Sequence, residues 1–364
     1  MRVLFQLGHP AHFHLFKLTV RNLINSGHKV DILIKKKDIL EKLLIDSNLP
    51  FHNILPTGRK NSKIGIAVGQ LKQDLGLIRF CLKNKPDIMV GTSVAISHAG
   101  KLLNIPSINV NEDDAEAVPL YAKLTYPWAT TIVAPFVCST SKWKAKTINY
   151  NGYHELAYLH PNHFKPDIDI AKKYVDTKIP FFIIRFSNLT AHHDTGVEGI
   201  NTEMAARLIE MLKPYGNIII TSEKQIDEKL EQYRKPVDVL DMHHLMAFAK
   251  IFIGDSQTMA AESGVLGVPF LRFNDFVGRI GYLSEMEDKY KLGFGIKPKD
   301  ANKLFDTVNE LLQTENLKEL YQERRKQMLS EKIDTARFLT WFISNYPDSL
   351  SIINENPNFP NRFK

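Results

Sequence analysis

The chain has 364 residues, 44% hydrophobic and 24% charged, the balance of a soluble globular protein with apolar material for two cores. Its formal net charge of +7 favours anionic partners such as nucleotides, anionic lipid or nucleic acid. The two cysteines, Cys81 and Cys138, exclude a disulfide framework and fit a reducing, cytoplasmic setting, and no apolar run reaches the ~18–20 residues of a membrane span.

Taken in order, Val3 to Leu7 reads as a buried first strand rather than a signal peptide. The turn Gly8-His9-Pro10-Ala11-His12 follows, then Phe13, Phe16, Val20 and Leu23 at helical spacing until Gly27. Strands are expected at Lys29 to Ile34, Phe51 to Leu55, Ile88 to Val90, Pro106 to Val110 and Thr130 to Ala134. Helices are expected at Asp38 to Ser47, Ile64 to Lys83 and from Ser93 to Asn104. The pattern loosens between Asn149 and Asp167, where His160-Pro161-Asn162-His163-Phe164-Lys165-Pro166 has linker chemistry. Alternation restarts with strands at Phe181 to Phe186, Asn217 to Thr221 and Val237 to Leu240, and helices at Gly199 to Lys213 and Met242 to Ala249. A strand at Leu292 to Ile296 and helix over Ala301 to Asn345 complete the pattern, and the tail from Asn354 to Pro360 reads as irregular.

Repeated strand–helix units predict an α/β protein of two doubly wound, Rossmann-like domains facing each other across a cleft. The expected division is 1–160, 161–340, and a C-terminal helix and tail, 341–364, returning to the first domain.

The most informative segment is Ile251-Phe252-Ile253-Gly254-Asp255-Ser256-Gln257-Thr258-Met259-Ala260-Ala261-Glu262. An apolar strand runs into Gly254, a polar turn follows, and a helix opens. A helix start offers free N–H groups and the positive end of a dipole, a natural phosphate site. Glu262 lies four residues beyond Thr258, roughly 6 Å further along the same face. That is where the ribose of a nucleotide sugar would lie if its diphosphate capped the helix. The competing reading is plain capping by Asp255 and Ser256.

Lys85-Pro86-Asp87-Ile88-Met89-Val90-Gly91, Ala99-Gly100-Lys101-Leu102-Leu103-Asn104-Ile105-Pro106 and Asn111-Glu112 resemble the N-domain of the N-acetylglucosaminyltransferase that completes lipid II. The same spacing resembles the non-hydrolysing UDP-N-acetylglucosamine 2-epimerases, and Asp255-Ser256 with Glu262 resembles the donor motif of both. Over nearly its whole length, including Gly152-Tyr153-His154-Glu155-Leu156-Ala157-Tyr158-Leu159, the chain most closely resembles an uncharacterised prokaryotic domain-of-unknown-function family with GT-B-type architecture. The resemblance implies a UDP-sugar held mainly by the second domain, an acceptor held by the first, and no obligatory metal or other cofactor. Carried over, Ser256 and Thr258 face the diphosphate and Glu262 the ribose, with Gly254, Asp255 and Gln257 completing the element. Arg185 offers a bidentate phosphate contact, or alternatively pairs with Asp255. Arg185-Phe186-Ser187-Asn188 stands where the transferase has a Gly-rich loop, and Gln257-Thr258 where the epimerase has two glycines.

His12, with His14 and His9 as fallbacks, is the candidate base for an acceptor hydroxyl; the alternative is a histidine capping its helix. Glu112, Asp113, Asp114 and Glu116 form an acidic cluster that could orient His12 or supply the base, or form a solvated loop. His192-His193-Asp194 could contact diphosphate or supply acid. Lys35-Lys36-Lys37 and Trp143 among Lys142, Lys144 and Lys146 suggest a basic–aromatic face for peripheral membrane contact. No nucleic-acid motif accompanies them. The leading expectation is an inverting, metal-independent glycosyltransferase acting on a glycan or lipid-linked acceptor. A UDP-sugar 2-epimerase comes second, and a non-catalytic nucleotide-sugar or RNA binding protein third.

Overall fold

A computed structural model describes residues 1–35, 38–55, 63–187, 199–222 and 225–364. Strands buried on both faces read as near-continuous apolar runs, and those runs form two all-parallel sheets. The first contains β1 (Arg2–Leu7), β2 (Lys29–Lys35), β3 (His52–Leu55), β4 (Ile88–Gly91), β5 (Ser107–Val110), β6 (Thr131–Pro135) and β7 (Thr147–Tyr150), in the order β3-β2-β1-β4-β5-β6-β7. The second contains β8 (Phe181–Phe186), β9 (Asn217–Ser222), β10 (Ile251–Gly254), β11 (Phe270–Phe273) and β12 (Gly293–Ile296), in the order β12-β11-β10-β8-β9. Strand order reverses between β1 and β4 in one sheet and between β8 and β10 in the other. In open parallel sheets such switch points leave a crevice at the carboxyl ends of the strands.

Two compact units result, 1–158 with 332–364, and 159–331. The expected boundary at residue 340 cuts through the helix Thr335–Ser344, which belongs to the first unit. Asn22 Nδ2 of the helix Pro10–Asn25 donates to Thr340 Oγ1 at 3.3 Å.

Four expectations are corrected. Val237 to Leu240 is a turn, because Asp238 Oδ1 accepts the Leu240 N–H at 2.9 Å and bends the chain locally. The strand β7 was hidden because only Ile148 and Tyr150 of Thr147–Tyr150 are buried, too short an alternation to stand out. The run from Ala301 is three helices, Ala301–Gln313, Leu317–Glu331 and Thr335–Ser344. Asn316 in the left-handed region and a fresh cap, Asp334 Oδ1 accepting from the Arg337 N–H at 3.1 Å, divide them. The tail is ordered: the turn Phe359–Phe363 buries Pro360 and Phe363, and Phe363 packs 5.5 Å from Trp341.

Candidate functional site

In the second unit β8 and β10 lie side by side with Arg185 opposite Gly254. A Cβ on Gly254 would come within 2.9 Å of Arg185 Cβ, so glycine lets the arginine strand pass close. Asp255, 1% exposed, staples the strand ends together. Its Oδ1 accepts the Ser187 N–H at 2.6 Å and the Ser187 hydroxyl at 2.7 Å. Its carbonyl accepts from Asn274 Nδ2 at 3.0 Å, and Asn274 Oδ1 in turn accepts the Phe276 N–H. Ser256 caps the helix Gln257–Leu266 through the Met259 N–H at 3.4 Å. The cap is therefore present, and the ten-residue helix it opens starts at the switch point beside Arg185.

Arg185, Ser187, Gly254, Asp255, Ser256, Gln257 and Thr258, drawn from positions about seventy apart, are brought together at this crevice. Glu262 lies further along the same helix, buried, with its Oε1 2.9 Å from Nε2 of the buried His243. Arg272 of β11 is fully buried; it donates to Glu287 Oε1 at 2.8 and 3.0 Å and to Gln257 Oε1 at 3.4 Å. Desolvation raises the Glu287 carboxyl pKa, and the Arg272 charge opposes that rise. His192, His193, Asp194 and Asn188 lie outside the described residues.

In the first unit the crevice between β1 and β4 has a polar floor. Gln6 and Asn109 stand in register with Gly91, one on each side. A Cβ on Gly91 would fall 2.5 Å from the Gln6 carbonyl oxygen, so the strands can approach this closely only at glycine. Ser93 donates from Oγ to Gln6 Oε1 at 2.6 Å while capping the helix Val94–Leu103 through the Ala95 N–H. Asn109 Nδ2 reaches the Ser93 carbonyl at 3.3 Å, and the Tyr121 hydroxyl donates to Asn109 Oδ1 at 2.9 Å. Burial pushes that hydroxyl well above its ordinary pKa, so it stays a donor.

The histidine turn separates into three roles. His9 caps the helix Pro10–Asn25, its Nδ1 accepting the Ala11 N–H at 3.2 Å. His14 is buried, its ring 5.2 Å from those of Phe13 and Tyr158. His12 lies in the first turn of that helix, and its Nδ1 accepts the Gly8 N–H at 3.1 Å. A neutral ring in that bond carries its proton on Nε2.

The acidic cluster is partly buried at Glu112, Asp113 and Asp114 and exposed at Glu116. Glu112 Oε2 accepts the His154 N–H at 3.1 Å, and Glu112 Oε1 lies 3.3 Å from His154 Nδ1. Burial pushes the His154 pKa down to about 3 against the opposing charge of Asp113, so the ring is neutral at pH 7. Asp114 Oδ1 accepts the Ser139 N–H at 2.8 Å and Glu116 Oε1 the Ser139 hydroxyl. Asp113 takes the Asn111 side-chain N–H on its carbonyl at 3.0 Å. In the basic–aromatic segment Trp143 packs edge-on against Tyr126 and Lys146 Nζ donates to the carbonyls of Pro127 and Ala129, while Lys142 and Lys144 are exposed. Lys36 and Lys37 lie outside the described residues. The Cys81 thiol, pushed up to about 11 by burial, holds no thiolate at neutral pH.

Sequence reasoning missed Gln6, Asn109, His154, His243, Arg272 and Asn274 as site residues. A signal existed for three of them. Gln6, Asn109 and Arg272 interrupt otherwise apolar strands, where a polar side chain persists only with a partner.

Similar solved structures share this architecture. The S. aureus MnaA–UDP co-structure is 14% identical, with a TM-score of 0.68, covering 96% of this chain and 98% of that one. UDP-GlcNAc 2-epimerase from Neisseria meningitidis bound to UDP-GlcNAc is 16% identical, with a TM-score of 0.63 and coverage of 97% and 100%. Spinosyn rhamnosyltransferase SpnG complexed with thymidine diphosphate is 13% identical, with a TM-score of 0.65 and coverage of 95% and 100%. At these identities the likeness is one of fold: the chain has a two-domain GT-B fold of Rossmann-like units. A comparison with curated proteins gives no match. The family described as "Protein of unknown function (DUF354)" matches residues 1–339, and the chain belongs to it.

Proposed function

We propose that the chain is a sugar-nucleotide enzyme, a glycosyltransferase that moves a sugar from a UDP-sugar to a glycan or lipid-linked acceptor with inversion and no obligatory metal. One observation carries the reading: Arg185, the Ser187–Asp255 staple and the start of Gln257–Leu266 meet at the β8/β10 switch point. A guanidinium and a preorganised helix start supply the positive potential that a departing diphosphate needs. Glu262, held by His243, would accept from the ribose hydroxyls. His12 would take the acceptor proton, which requires its Nδ1 to give up the Gly8 N–H so that the other tautomer can form. Glu112, oriented by His154, is the carboxylate that could do so without that exchange.

The second reading, a UDP-sugar 2-epimerase, is favoured by the name of one similar structure, the UDP-GlcNAc 2-epimerase bound to UDP-GlcNAc. Calorimetry with UDP, followed by product analysis on UDP-N-acetylglucosamine with and without lipid-linked acceptors, tests both. Transfer only when acceptor is present supports the transferase, and a 2-epimer formed without acceptor supports the epimerase. Absence of UDP binding would sink both and leave a non-catalytic module. Undiminished turnover in chelator supports the metal-independent route, whereas turnover lost in chelator and restored by a divalent ion would end it.

A further inference from the structure

The helix Lys63–Asn84 buries Leu77 and Cys81 against Leu4, Leu33 and Met89 of the first unit. Its outer face has an unusual composition. Seven residues between 68 and 84 are exposed: Val68, Leu71, Leu75 and Leu82 are apolar, and Lys72, Arg79 and Lys83 are cationic. The apolar four are 46%, 60%, 45% and 62% exposed. At about 100° per residue they fall within roughly 60° of arc, and the three cations occupy the next ~40° alongside. The paired rows run roughly 20 Å. No acidic side chain shares the exposed rows. Asp74 lies on the flank, its Oδ2 3.0 Å from His98 Nδ1. His98 Nε2 meets the Leu124 carbonyl at 2.9 Å, and its ring stands edge-on to Trp128, 46% exposed. An exposed indole is thus tied through His98 and Asp74 to the flank of the helix.

We propose that this face docks the protein on an anionic membrane surface, with the apolar row entering the headgroup boundary and the cationic row on anionic lipid. Large apolar side chains in one contiguous row are rarely left to water. Side-by-side apolar and basic rows without acid are the composition of helices that lie in the interfacial plane. Trp128 fits, because indole seats at that boundary. A second copy of the chain is a poorer occupant, since its helix brings three more cations and no anion. The inference stands independently of the nucleotide reading.

Flotation of the full chain with phosphatidylcholine vesicles, with and without phosphatidylglycerol, tests it, alongside gel filtration and urea unfolding. The expected result is binding to the anionic vesicles only, weakened by salt. Replacing Lys72, Arg79 and Lys83 by Gln should lower partitioning about a hundredfold. The triple variant Leu71→Ser/Leu75→Ser/Leu82→Ser should abolish flotation while the chain stays folded, its urea midpoint lowered by only a few tenths of a molar through serine's poorer helix propensity. Equal binding to neutral vesicles, no binding to either, or full binding by the serine variant would each overturn the proposal. So would a wild-type dimer that the serine variant dissociates.

Discussion

Asp255→Ala should destabilise the second unit by about 3 kcal/mol. Asp255 is 1% exposed and accepts two hydrogen bonds from Ser187 at 2.6 and 2.7 Å. A hydrogen bond to a charged acceptor contributes roughly 1.5–3 kcal/mol. The low end applies because Ser187 is half-buried, and water can reach its donors once the carboxylate is gone. Asp255→Asn keeps one acceptor oxygen and should cost about 1.5 kcal/mol. Urea unfolding followed by fluorescence is the assay, with the second unit's transition fitted separately if the two units unfold apart. With a slope of about 2–3 kcal/mol/M, the Ala variant's midpoint falls by roughly 1–1.5 M. A double-mutant cycle with Ser187→Ala isolates the pair, and a coupling of about 1.5 kcal/mol is expected. UDP affinity should fall at least about tenfold in Asp255→Ala, because the turn that aims the helix start loosens. A midpoint within about 0.2 M of wild type, far below the shift that slope implies, together with zero coupling, would refute the staple.

Three further outcomes follow from the same geometry. If Glu262 reads the ribose, wild type prefers UDP to 2′-deoxy-UDP by about tenfold or more and Glu262→Ala loses that preference; an unchanged ratio by calorimetry removes the assignment. His154, with a folded pKa of about 3 against an ordinary 6.5, is buried neutral, so its contribution is present above pH 6.5 and lost as acid protonates the unfolded chain. Unfolding free energy should drop by several kcal/mol, on the order of 3–5, between pH 6.5 and 3. The part of that drop due to His154 should vanish in His154→Gln, and an identical slope in that variant would contradict it. Glu287→Ala leaves the fully buried Arg272 charge without its carboxylate and should cost about 3–5 kcal/mol, with Glu287→Gln costing less; thermal melting of both variants checks the order.

The α/β alternation was legible because parallel strands buried on both faces must be continuous apolar runs, as in Val3 to Phe5 and Phe181 to Ile184. The Asp255–Glu262 element was legible for a local reason: strand, polar turn and helix start are contiguous, so capping chemistry and anion chemistry can be read from one short stretch. The false strand at Val237 to Leu240 and the undivided helix from Ala301 overlooked local turn and cap bonds, whereas for the tail and for His14 the competing interactions lay far away in sequence. Nothing near Phe363 announces that Trp341 and Phe338 will cover it, so the tail looked irregular. The three turn histidines look equivalent on paper, yet one caps a helix, one enters the core and one sits in the first helical turn and bonds back to Gly8.

By itself, then, the sequence determined which stretches become strands and helices and which polar residues follow strand ends, since periodicity and capping act over a few residues. Only the tertiary structure decided partners. Glu112 with His154, Glu262 with His243, and Ser187 with Asp255 are separated by 42, 19 and 68 positions. A carboxylate's function depends on what desolvates it and what donates to it, and those neighbours exist only once parallel strands are in register.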